Sequence, residues 1–138
     1  MFAALSKEKK ITIKKIILNT GLDKKSKELI LLICYVYPSI YMLAHLSHAQ
    51  IYLLIKKIDC IRRVERYNSL IRIIDILAIC DNSNQIKLNI QALQNIIKQV
   101  ANINYSKLAK KYPTQMNIEV KNSILQIINN TFKNTNQL

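Results

Sequence analysis

From Leu29 to Ile55 the chain reads LILLICYVYPSIYMLAHLSHAQIYLLI, 27 residues without a formally charged side chain. Lys24, Lys25 and Lys27 close it on one side, and Lys56 and Lys57 on the other. A run of this kind must leave water, either in the centre of a helical bundle or across a membrane. A bilayer core asks for about 20 apolar residues, and residues 29–46 give 18 uncharged ones. Yet Pro38, Ser39 and three tyrosines (Tyr35, Tyr37 and Tyr41) fall near the middle of that window, and tyrosine prefers the membrane interface to its centre. Continuing to Ile55 adds His45, Ser47, His48 and Gln50, which suit lipid poorly. Residues 29–55 therefore read as one and a half core helices and the start of a basic one. A small membrane-anchored subunit with its span in 29–55 is the alternative. Pro38 predicts a break near Tyr37 and a new short helix from Pro38, because proline lacks the amide donor and disfavours α conformation before it. Ser47-His48-Ala49-Gln50 predicts a second interruption.

The rest of the chain has helical spacing. One glycine and two prolines in 138 residues leave too few turn-formers for a sandwich or barrel. Ile, Lys and Asn make up 56 of the residues, a skew in which β-branched Ile is no vote for strands. The expected fold is all-α, a single compact bundle of five to seven helices over residues 1–138. Residues 1–22 would form a basic amphipathic arm, with Ser6 capping a helix that ends at a left-handed Gly21. Asp23 caps the next helix. From Gln50 to Arg66 the apolar positions Ile51, Leu54, Ile55, Ile58, Ile61 and Val64 recur at three- and four-residue steps, predicting one amphipathic helix. Tyr67-Asn68-Ser69 interrupts it. Residues 70–80 are apolar nearly all round and predict a central helix, followed by a loop at 81–84. A helix from about Asn89 to Ile103, a short basic one ended by Pro113, one from about Asn117 to Phe132, and a frayed tail at 133–138 complete the expectation.

Charge narrows the choice of partner. The net charge is +13, from 21 basic and 8 acidic residues. A net charge of roughly 2–8 is enough to keep a small domain soluble, so this excess points to a polyanion, most often nucleic acid. Seventeen of the basic residues are lysines, which suit non-specific phosphate attraction better than bidentate base reading. Two clusters stand out as phosphate contacts. One is Lys56, Lys57, Arg62, Arg63 and Arg66, with Tyr67 beside it. The other is Lys107, Lys110 and Lys111 between Tyr105 and Tyr112. The three tyrosines are candidates to stack on unpaired bases. For each cluster the plain alternative is a solvated helix face.

Other chemistry has little to stand on. The two histidines lie in the uncharged stretch and the carboxylates are scattered, so no nucleophile, base and orienting group come together. A single glycine cannot make a phosphate-cradling loop. His45 and His48 lie three apart without a Cys-x-x-Cys to complete a zinc set. The expectation is a protein that is not an enzyme, with no metal and no cofactor. Cys34, Cys60 and Cys80 read as reduced core residues. The N-terminus MFAALSKEKK carries no secretory signal, so a cytoplasmic or organellar matrix location is expected.

The segments LIRIIDILAICDNS and NIQALQNIIKQV resemble the long-helix, loop, long-helix core of the small helical subunits of multi-subunit CRISPR effector complexes, over about residues 50–138. The resemblance is one of architecture, size and basic surface and carries no diagnostic motif. It implies a non-catalytic subunit that steadies a guide RNA–target duplex or a displaced DNA strand. Its partners would be RNA or single-stranded DNA together with other protein subunits, including further copies of itself.

Overall fold

Polar side chains cap the starts of four helices. Asp23 accepts from the Ser26 amide, and Ser47 accepts from the Gln50 amide while the Gln50 side chain accepts from the Ser47 amide. Ser83 accepts from the Ile86 amide and Asn104 from the Lys107 amide. Each satisfies an amide that the first turn of a helix leaves open. The computed structural model describes residues 7–135, with side chains from Ile11 to Lys133. It contains α1 (Lys7–Leu18), α2 (Lys24–Tyr41), α3 (His48–Ile58), α4 (Val64–Asp81), α5 (Asn84–Ala101), α6 (Tyr105–Lys111) and α7 (Met116–Thr135), with one 3₁₀ turn at Leu43–His45. The described residues include no strand. The fold is an all-α bundle.

The uncharged stretch supplies its centre. α2 packs against α1, α3, α4 and α5, while α7 packs against α3, α5 and α6. Val36 and Ile40 of α2 and Ile58 of α3 are wholly enclosed, together with Leu70, Ile74, Leu93, Ile96 and Ile128 from the other helices. The stretch is not one span: α2 ends at Tyr41 and α3 begins at His48. No helix among the described residues is long and apolar enough to cross a membrane.

Several boundaries differ from expectation, each for a local reason. α2 continues through Pro38 to Tyr41. A helix-interior proline costs about 3 kcal/mol, whereas Val36, Tyr37 and Ile40 around it are all buried, each worth about 1.5–3 kcal/mol. Burial wins. The Ser47–Gln50 interruption is a reciprocal cap that starts α3.

The expected 50–66 helix is two. α3 stops at Ile58, Asp59 turns left-handed (φ 53°, ψ 48°), and α4 starts at Val64. Ile51, Leu54, Ile55 and Ile58 stay buried, but the turn carries Ile61 and Val64 into solvent. Tyr67-Asn68-Ser69 lies inside α4.

α4 is not enclosed all round, since Ile76 and Ile79 are exposed at 59% and 67%. Cys80 is also exposed, so of the three cysteines only Cys60 is a buried core residue, with Cys34 half-buried. Gly21 does not take a left-handed conformation. α1 has already ended, and Lys27 Nζ donates to the Leu18 carbonyl (2.9 Å) while Thr20 Oγ1 donates to that of Ile17 (2.7 Å). The expected Ser6 cap lies outside the described residues. α5 begins at Asn84 and takes in residues 86–90, and α7 continues through Thr135 into the expected tail.

Candidate nucleic-acid interface

The α3–α4 turn separates the first basic cluster into parts with different surroundings. Lys56 and Lys57 end α3, where cations complement the helix dipole. Lys57 Nζ lies 5.5 Å from the centre of the Tyr35 ring. Arg62 sits in the turn with its side chain 83% exposed and its Nε 3.0 Å from Asp59 Oδ1. Arg63 reaches Glu28 (3.6 Å) and the other Asp59 oxygen (3.9 Å). Arg66 turns inward: its Nη2 donates to the carbonyls of Ile58 (2.8 Å) and Lys57 (3.4 Å) at the open end of α3. Its Nε is buried without a hydrogen-bond partner among the described residues. Two of the three arginines are thus charge-compensated and the third closes a helix.

The lysines differ. Lys56 Nζ stands 5.7 Å from the centre of the Tyr52 ring, and Lys121 Nζ of α7 stands 5.4 Å from the same ring. Two ammonium groups drawn to one aromatic ring raise the local positive potential, which a phosphate oxygen would relieve. Lys107, Lys110 and Lys111 project from α6, and Lys111 Nζ lies 5.2 Å from the Tyr112 ring. The ion pairs found among the described residues all fall on Arg62 and Arg63. α7 packs against both α3 and α6, so it joins the Lys56 end of the first cluster to the second and places Lys121 on the connecting helix.

The tyrosines divide as well. Tyr67 packs against the core, and burial pushes its hydroxyl pKa up, with Cys60 and Asp75 adding to the shift. Tyr105 donates from its hydroxyl to the Val100 carbonyl (2.9 Å), and burial raises its pKa too. Tyr112 is half-buried beneath Lys111. Tyr112 is the stacking candidate whose hydroxyl and ring are least committed to the core.

Tyr52 and Lys121 were not among the residues expected from sequence. Tyr52 and Lys56 are four apart on one helix, so that pairing could have been found by spacing. Lys121 comes from a helix far along the chain, and only tertiary packing shows it. No group of three His, Cys, Asp or Glu side chains among the described residues could hold a metal ion. The chain matches no family model, no curated protein and no solved structure.

Proposed function

We propose that this protein is a non-catalytic, basic helical subunit of a nucleoprotein complex, holding RNA or single-stranded DNA by its phosphates with little sequence preference. The observation that carries the reading is the set of lysines that make no ion pair among the described residues, Lys56, Lys121, Lys107, Lys110 and Lys111, on helices linked through α7. In a chain of net charge +13 these side chains offer phosphates a surface that no carboxylate of the described residues already satisfies. Arg62 and Arg63 add charge at the edge of that surface by exchanging Asp59 and Glu28 for phosphate. Arg66 acts through the fold. A subunit of this kind suits an assembly that tracks a nucleic-acid backbone, the role implied by the resemblance to CRISPR effector small subunits.

Charge reversal tests it. Lys107→Glu, Lys110→Glu and Lys111→Glu together should lower affinity for unrelated single-stranded RNA and DNA oligonucleotides alike, with the helical circular dichroism unchanged. Affinity equal to that of the unaltered protein would remove α6 from the interface.

A further inference from the structure

α1 exposes more large apolar side chains than it buries. From Ile11 onward, Ile17 is buried and Ile13 half-buried, four apart on the side that packs against α2. Ile11, Ile16 and Leu18 are instead 47%, 60% and 50% exposed. A surface helix that meets only water carries polar residues on its outer side. Ile11 and Leu18 lie seven apart, two turns along the helix and away from the Ile13–Ile17 side, with Lys14 and Lys15 between them. Leu22, just past the end of α1, is exposed as well. The sequence ahead of α1, Met1-Phe2-Ala3-Ala4-Leu5, is also apolar.

The charge around these side chains has one sign. From Ile11 to Lys27 the sequence holds five lysines and one acidic residue, Asp23, and Asp23 is taken up in capping α2. Lys14, Lys15, Lys24 and Lys25 are exposed and make no ion pair among the described residues. A partner that covers this face must offer hydrocarbon and negative charge together. A nucleic-acid backbone would meet the lysines and leave Ile11 and Leu18 in water. A bilayer containing anionic lipid meets both. The apolar side chains enter the boundary between head groups and acyl chains, and the lysine stems extend along it to reach phosphates. With 12 residues, α1 is about 18 Å long, too short for a hydrocarbon core of roughly 30 Å, so it can only lie along the surface.

We propose that α1 is a peripheral docking helix for anionic lipid bilayers. Ile11 and Leu18 insert, while Lys14, Lys15, Lys24 and Lys25 engage the head groups. None of these residues belongs to the lysine surface assigned to nucleic acid, so the two readings stand or fall separately.

The full chain has no tryptophan, so Leu18→Trp carries the sole indole signal. Vesicles of equal parts phosphatidylcholine and phosphatidylserine should shift its emission to the blue and shield it from a soluble quencher. Vesicles of phosphatidylcholine alone should leave it unchanged. Ile79→Trp, at an exposed position on α4, should shift with neither. Cosedimentation with the mixed vesicles gives the affinity. Ile11→Ser with Leu18→Ser, and Lys14→Glu with Lys15→Glu, should each weaken it about tenfold or more, with the circular dichroism unchanged. The serine pair should leave oligonucleotide affinity as it was. Were the serine pair to lower the melting temperature, the Leu18→Trp signal would carry the test. An equal blue shift from Ile79→Trp, or vesicle affinity that survives the serine pair and falls only with the lysine pair, would mean diffuse attraction of a +13 chain and overturns the proposal. So does an unshifted Leu18→Trp emission, the result expected if an acidic protein covers this face.

Discussion

Arg66 Nη2 reaches back across the α3–α4 turn to donate to the Ile58 carbonyl at 2.8 Å. A charged hydrogen bond to an otherwise open helix end is worth about 1.5–3 kcal/mol. Arg62, exposed and paired at the surface with Asp59, stands to lose only about 0–1 kcal/mol. Arg66→Ala should therefore lower the urea midpoint well below that of Arg62→Ala, without a change in m. Equal midpoints would remove Arg66 from its structural role.

Asn89 is a buried polar side chain, and its Nδ2 donates to the Ile40 carbonyl at 2.9 Å, tying α5 to the end of α2. Asn89→Leu keeps the branching at Cγ but adds volume at a buried site and removes this donor from the carbonyl, together a loss of about 1–3 kcal/mol. The same urea titration reads it.

Tyr37 donates its hydroxyl to Asp81, joining α2 to the last residue of α4. Burial first, then the Asp81 hydrogen bond and charge, raise the Tyr37 pKa. A pKa raised by folding means that the folded state holds the proton more tightly. The stabilisation is full below the unfolded value of about 10 and falls as pH rises beyond it. Thermal melts should show stability declining above about pH 10, and Tyr37→Phe should make that decline shallower. An unchanged alkaline slope would contradict the linkage.

Much of this fold can be read from the chain. The Asp23 cap and the buried stripe Ile51, Leu54, Ile55 and Ile58 follow from position and spacing, whereas the Ser83 cap, which starts α5 ahead of the expected Asn89, and the Asn104 cap are seen only in the fold. The break after Ile58 is hidden too, since no glycine or proline stands there and Asp59 takes the left-handed conformation itself. Pro38 misleads in the opposite direction, because the local cost is visible in sequence and the burial that outweighs it is not. The candidate interface is legible to a similar degree. Clusters of Lys and Arg are plain from spacing, but which of them meet carboxylates depends on Glu28 from one helix and Asp59 from a turn. Arg66 cannot be told from its neighbours until its carbonyl partners are seen.

The lysine surface makes a graded prediction. Lys56→Ala with Lys121→Ala removes both cations from the Tyr52 ring and should weaken single-strand binding more than Arg62→Ala with Arg63→Ala. The arginine pair must first give up Asp59 and Glu28. Fluorescence anisotropy with a labelled oligonucleotide measures both, and the reverse order would shift the interface to the α3–α4 turn.

The most direct measurement is the salt dependence of binding to two single-stranded oligonucleotides of unrelated sequence. Phosphate contacts by Lys56, Lys107, Lys110, Lys111 and Lys121 predict a linear fall of log K with log salt. At about −0.7 per contact the slope is about −3.5, the same for both sequences, and it is shallower by about 2 in the Lys107→Glu, Lys110→Glu, Lys111→Glu protein. A slope near zero, or affinities that differ widely between the two sequences, would contradict backbone binding by these lysines.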